Sequence, residues 1–372
     1  MNIKNYFIFL TIFVFISCGS NNDDYYQPEL ERAKSLPTSD VSFLHISDTH
    51  GSSVSVYPMV DILNSTLCDF GIITGDVLAD DIMMYYIKSS QKPIFIVPGN
   101  HDAYDIPNGQ STFRGNVLNE INKSTKIQYG DDKANYFYAD LTKNGKTTRI
   151  IGLDQYEIEQ VGLADRYNIV MSQHQINWFI NLLKDSYDID GILILIHNGF
   201  GNSTYGQRNV ENRNSFISTL AYDFDSYLFF GNSYPLMIPD IINAYMTGNN
   251  ITNKNYPSGY NGVDLKVTTD FIGSHHNFIG FLGGHVHWDL CEYLKNYPSQ
   301  LQLLMCYSGL GTGKYMDVDF NDIIKSSYGI DSYNINYNVI DYRKQQLTIY
   351  RLGANKLCTG GTRDSIGFEI NK

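Results

Sequence analysis

Residues 41–50 read VSFLHISDTH, an apolar run that stops at a carboxylate and an imidazole. Near-continuous apolar character over so few residues marks a strand buried on both faces. The same form recurs in FGIITGD (70–76), PIFIVPGN (93–100), RIIGLD (149–154), GILILIH (191–197) and NFIGFLGGHVH (277–287). Between the runs lie segments long enough for a helix. PMVDILNSTL (58–67) and SQHQINWFINLLKDS (172–186) carry apolar residues at helical spacing, the second with Ser172 placed to cap its first turn. Such strand-helix alternation predicts an α/β layered fold.

Two stretches break the rhythm. Residues 200–275 are rich in Gly, Asn and aromatics and far longer than an ordinary connection, so they read as an insertion with structure of its own or as a lid. Residues 330–370 alternate with period two on either side of YRKQQ, which predicts an antiparallel hairpin at the end of the domain. The first residues differ from both. Lys4 precedes an apolar run, Tyr6 to Ile16, that is too short to span a bilayer comfortably, and Ser17 stands before Cys18. This resembles a bacterial lipoprotein signal over residues 1–17, with lipid on Cys18, and the following GSNNDDYY is similar to the export tags of Bacteroides-type lipoproteins. Residues 18–40 then read as a flexible tether and residues 41–372 as the folded domain. The resemblance implies an exported protein on the outer membrane or cell surface, or facing the periplasm, that meets the membrane through its lipid only.

Composition narrows the partners. Apolar residues make up 43% of the 372, enough for a substantial core. Lys and Arg number 27 against 39 Asp and Glu, a net charge of −12, which argues against nucleic acid as the main partner. Beyond Cys18 the cysteines are Cys68, Cys291, Cys306 and Cys358, with no pair at metal-ligand spacing, so both a disulfide and buried thiols stay open.

In an open α/β sheet, ligands gather beyond the carboxyl ends of strands. Standing there are Asp48 and His50, Asp76, Asn100 and His101, His197, and His285 with His287. With His101 set aside, two carboxylates, one amide oxygen and four imidazoles suffice for two metal ions if one carboxylate bridges. Mixed nitrogen and oxygen donors suit Mn, Fe or Zn better than Ca or Mg. Two divalent ions would outweigh two aspartates and a bridging hydroxide by about one positive charge, giving an acidic protein a cationic pocket fit for phosphate.

Taken in order, SDTH (47–50), GD (75–76), GNHD (99–102), the strand-end His197 and GHVH (284–287) resemble the signature of the calcineurin-like metallophosphoesterases. The resemblance implies a four-layer αββα sandwich of two mixed sheets flanked by helices. It implies that Asp48, His50, Asp76 and His287 hold one ion and Asp76, Asn100, His197 and His285 the other. It implies that His101, oriented by Asp102, serves the leaving oxygen while a metal-bridging hydroxide attacks phosphorus, in a monoester or a diester. Arg114 and Tyr104 are candidates for substrate contact, with ordinary surface or packing roles as the alternative. His45, in mid-strand, reads as a hydrogen-bonded core residue. Two other functions compete: a surface-displayed binding module on this scaffold, and an extracellular nuclease. The oligomeric state is not legible in the sequence.

Overall fold

The computed structural model describes residues 23–77, 81–104, 127–131, 134–157, 171–200, 237–257, 264–285, 290–294, 296–305, 333–353 and 365–370. A 3-10 turn, Asp23–Tyr26, enters α1 (Gln27–Ser35), and then β1 (Val41–Ile46), α2 (Val56–Ser65), β2 (Phe70–Ile73), α3 (Asp81–Lys88), β3 (Ile94–Ile96) and α4 (Asn100–Tyr104) alternate as the apolar runs predict. After β4 (Gln128–Tyr129), β5 (Phe137–Lys143) and β6 (Lys146–Gly152) come α5 (Gln173–Lys184), β7 (Gly191–Asn198) and α6 (Met237–Thr247). The small pair β8 (Lys254–Pro257) and β9 (Asp264–Val267) precedes β10 (Phe278–Gly284), β11 (Leu290–Leu294) and β12 (Tyr297–Leu304). The described chain closes with β13 (Asn334–Asp341), β14 (Gln346–Gly353) and β15 (Ser365–Glu369).

These strands build two mixed sheets. One has the order β15-β14-β13-β1-β2-β3, the other β11-β12-β10-β7-β6-β5-β4. In the first, β1, β2 and β3 run parallel while β13 lies antiparallel to β1. In the second, β6, β7, β10 and β12 run parallel, so the ends of β7 and β10 and those of β1 to β3 each project from one edge of their sheet.

Three apolar layers explain the sandwich. Phe43, Phe70, Ile72, Phe95 and Val97 from the first sheet meet Phe137, Ile150, Leu193, Leu195 and Leu282 from the second. A run of rings crosses that interface: Phe43 stacks on Phe70 at 5.0 Å, Phe70 meets Phe95 edge-on at 5.4 Å, and Phe95 lies 6.2 Å from Phe137. Outside the first sheet, Leu44, Ile46 and Ile73 pack against apolar residues of α1, α2 and α3. Outside the second, Ile192, Ile194 and Ile196 pack against α5 and α6. Both sheets are therefore covered on both faces, and the fold is the αββα sandwich.

One expectation changes. Residues 23–35 are not a flexible tether: they are helical, and Tyr26, Leu30 and Ala33 are buried against the body of the domain. The described part of 200–275 carries structure of its own: α6 and the β8–β9 pair lie in the outer apolar layer of the second sheet. Residues 201–236 are outside the described residues. Cys68 is a buried free thiol and Cys291 is disulfide-bonded, while Cys306, Cys358 and Cys18 fall outside the described residues. No helix among the described residues is long and apolar enough to cross a membrane.

Ser172 caps α5 as its spacing suggests, accepting the Gln175 N–H at 3.0 Å. Its own hydroxyl donates to Glu157 Oε1 at 3.0 Å, and its backbone N–H donates to Oε2. Burial, with the charge of Asp154 adding to it, pushes the Glu157 carboxyl up from 4.5 to about 7 against those bonds. The folded state thus holds this proton more tightly than the unfolded chain, a contribution to stability complete below pH 4.5 and lost as the pH rises through about 7. Thermal melts across that window should show a flatter pH dependence for Glu157→Gln than for the wild type. Phe70→Ala, which empties the middle of the ring run, should lower unfolding free energy by about 3–5 kcal/mol in urea titrations, against less than about 0.5 kcal/mol for a surface change.

Candidate metal centre

Each strand that ends at the shared edge delivers one part of the site. Asp48 and His50 follow β1, Asp76 follows β2, Asn100 and His101 open α4 just beyond β3, His197 sits at the end of β7, and His285 follows β10. The structure brings all seven together. His287 and Arg114 fall outside the described residues, and Tyr104 ends α4 with its side chain likewise outside them.

Asp76 stands at the centre. Its Oδ2 lies 3.6 Å from His50 Nε2 and 3.3 Å from His197 Nε2, and its Oδ1 accepts the backbone N–H of His101 at 2.8 Å. Potential ligand atoms of His50, Asp76 and His101 lie within 4.8 Å of one another, and so do those of Asp76, His197 and His285. The two groups share Asp76. His101, set apart from the ligands in the sequence reading, is thus gathered with His50, and the two rings meet edge-on at 4.7 Å. Asp48 is fully buried, 4.0 Å from His50 Nε2, and accepts the N–H of His285 at 2.9 Å on Oδ2.

The donors fit a cation. His197 Nδ1 lies 2.6 Å from the Thr74 carbonyl, which can only accept, so Nδ1 carries a proton. In the neutral ring Nε2 then bears a lone pair, yet it faces Asn100 Oδ1 at 3.1 Å and Asp76 Oδ2 at 3.3 Å. His285 Nδ1 approaches the same Asn100 oxygen at 3.0 Å. Acceptors turned on acceptors repel unless a proton or a metal ion lies among them. Burial would push His197 down, but Asp76 beside it holds it up at about 9, so without metal a proton takes the cation's place. Burial would push the Asp76 carboxyl up, but the imidazoles of His197, His50 and His101 hold it well below the usual range.

Backbone strain collects here as well. Of the seven described residues other than glycine with left-handed backbone, four are Asp48, His50, Asp76 and His285. Each costs about 1–2 kcal/mol in an L-residue and persists only where surroundings enforce it. The enforcement is visible: Asp48 N–H donates to Gly75 O at 3.0 Å and His50 N–H to Asp76 O at 2.8 Å, tying the β1 loop to the β2 loop. The glycines of GD, GNHD and GHVH serve close approach. A Cβ on Gly99 would lie 2.2 Å from Asp76 Oδ1, and one on Gly284 would lie 2.2 Å from Asp48 Oδ2.

Asp102 acts on the loops, its Oδ1 accepting from Val77 N–H at 2.8 Å and its Oδ2 from Gly99 N–H at 2.9 Å. Sequence reasoning missed Gln155. Its Oε1 accepts the N–H groups of His197 at 2.9 Å and Asn198 at 2.7 Å, and its Nε2 donates to Asn198 O at 3.0 Å. The signal was its place just past β6, the one predicted strand end to which no role was given.

A family model described as calcineurin-like phosphoesterase matches residues 41–232, just over half of the chain. The chain belongs to the calcineurin-like phosphoesterase family. It is a hydrolase of phosphoester bonds. The match ends before β10, so His285 joins this phosphoesterase's site through the fold. Among solved structures, a dimetal phosphatase from Danio rerio is 10% identical, with 89% of this chain and 99% of that one covered and a TM-score of 0.47. The calcineurin-like phosphoesterase YfkN from Bacillus subtilis is 11% identical, with 90% and 91% covered and a TM-score of 0.39. A 5'-nucleotidase from Candida albicans is 14% identical at a TM-score of 0.41; 86% of this chain aligns, with only 53% of the nucleotidase's length. None of the curated proteins matches.

Gly284→Ala should press its methyl group against Ser47 and Asp48 and weaken Mn uptake by the phosphoesterase at least about tenfold, by equilibrium dialysis with elemental analysis. Gly145→Ala, at a turn where no described residue lies within 4 Å of the new Cβ, should leave uptake unchanged.

Proposed function

We propose that this phosphoesterase cleaves phosphomonoesters or phosphodiesters at a pair of divalent or trivalent ions, of Mn, Fe or Zn. Asp48, His50 and Asp76, with His287, would hold one, and Asp76, Asn100, His197 and His285 the other. The observation that carries the reading is the sharing of Asp76 between two groups of ligand atoms. When bound, such a pair acidifies a water and neutralises charge on phosphate. The chain's own part is to place the phosphate and manage a proton. Asp48, Asp76 and His197 are buried and hold their geometry without solvent, whereas His101 is partly exposed at the rim. Its backbone N–H is fixed on Asp76, which sets the residue at the rim, where the imidazole would meet the leaving oxygen and supply a proton.

Placement at the cell envelope belongs to the same proposal: lipid on Cys18 would hold the enzyme at the outer membrane or cell surface. The basis is the lipoprotein-like sequence of residues 1–18.

Purified protein lacking residues 1–18, loaded with Mn, should hydrolyse para-nitrophenyl phosphate, its bis ester, or both. Asp76→Asn should abolish metal uptake and turnover, and His101→Ala should lower kcat by about 10²–10⁴ while Mn stays bound. Failure of the wild type to take up Mn, Fe or Zn would sink the proposal, and cleavage of single-stranded DNA with neither small ester touched would move it to a nuclease. Full-length protein should partition into the detergent phase of Triton X-114, and Cys18→Ala into the aqueous phase.

A further inference from the structure

His45 projects from the middle of β1 into the space between the sheets and is 1% exposed. Its Nε2 lies 2.8 Å from the Thr74 hydroxyl, while its Nδ1 has no hydrogen-bond partner among the described residues. A buried unmet N–H costs more than a buried unmet lone pair, so the proton belongs on Nε2 and the ring donates to Thr74. Burial first, and then the charge of Arg351, keep His45 uncharged, its pKa pushed down to about 3. Arg351 reaches this row across the sheet, through Asn336: the two strand neighbours are hydrogen-bonded at 2.9 Å, and Asn336 stands opposite His45 in the β1–β13 register.

Thr74 is the last residue before the left-handed pair Gly75 and Asp76. Its N–H donates to Ile46 O at 3.1 Å, its hydroxyl meets His45, and its carbonyl lies 2.6 Å from His197 Nδ1 and 3.1 Å from the Ser47 hydroxyl. The direction of that carbonyl decides where the His197 ring points. A freed Thr74 hydroxyl would seek another partner, and the peptide joining Thr74 to Gly75 could turn with it.

We propose that His45, which is outside the candidate ligand set, is a positioning residue: by holding Thr74 it fixes the carbonyl that accepts the His197 Nδ1–H hydrogen bond and keeps His197 Nε2 aimed at Asp76 and Asn100. The inference rests on the reading of the centre given above for its purpose, but its geometry exists without metal. Being uncharged, His45 can do this beside a cationic centre without repelling it. A Lys there could not.

The test uses two measurements on the wild type, His45→Leu, His45→Gln and Thr74→Val. The first is solvent exchange of the His197 Nδ1 proton in metal-free, ¹⁵N-histidine-labelled protein, assigned by its disappearance in His197→Gln. The second is Mn affinity by calorimetry. Exchange should speed at least about fivefold in His45→Leu and in Thr74→Val, the worth of one hydrogen bond, and stay near wild type in His45→Gln, whose amide can still donate to Thr74. Affinity should fall about 10–100-fold in the first two variants and recover in the third. If His45→Leu does not fold, Thr74→Val removes the same bond from its other end and decides the question. Protected Nδ1 exchange with wild-type Mn affinity in either variant, even at a lower melting temperature, would reduce His45 to a packing residue. A wild type that binds no Mn would overturn the metal reading, and the exchange measurement alone would then decide whether His45 positions His197.

Discussion

The contact between Asp76 and His197 joins the two halves of this molecule. Asp76 belongs to the loop after β2 in the first sheet and His197 to the end of β7 in the second, and both are almost wholly buried. A carboxylate in such a place is tolerable only with cationic or hydrogen-bonding company, and here that company comes from both sheets. His50 and the His101 N–H approach from the first sheet, His197 from the second. The sandwich therefore has to close in one register for the charge to be met, and the ring run from Phe43 to Phe137 sets that closure from the apolar side. Packing and electrostatics ask for the same relative placement of the sheets.

Much of this was legible in residue order. Strands buried on both faces announce themselves as short apolar runs, and the polar residues that end them must stand at a sheet edge, so Asp48, Asp76, Asn100, His197 and His285 could be collected before any coordinates. The runs do not say how the sheets face each other. That His101 is gathered with His50, that Asp102 ties the β2 and β3 loops together, and that Gln155 grips the backbone around His197 are all relations between strands far apart in sequence. Left-handed backbone at Asp48, His50, Asp76 and His285 is equally invisible, because none of these is the glycine that such a conformation favours.

The helix misread as tether fails for a different reason. QPELERAKS has few apolar residues, and its sequence looks solvated. Within the helix only Leu30 and Ala33 turn inward, and the Arg32 guanidinium donates to Arg351 O at 2.9 Å; the turn before it adds the buried Tyr26 and the Tyr25 hydroxyl, which donates to Val54 O at 2.8 Å. An attachment made of such scattered contacts leaves little trace in periodicity.

That attachment also sets how far the enzyme can stray. With α1 fastened to the body and the 3-10 turn starting at Asp23, only a handful of residues separate Cys18 from folded structure, a span of at most about 18 Å when fully extended. Under the proposed lipidation the domain would ride close against its bilayer. Any search for a membrane-borne partner would then become nearly two-dimensional.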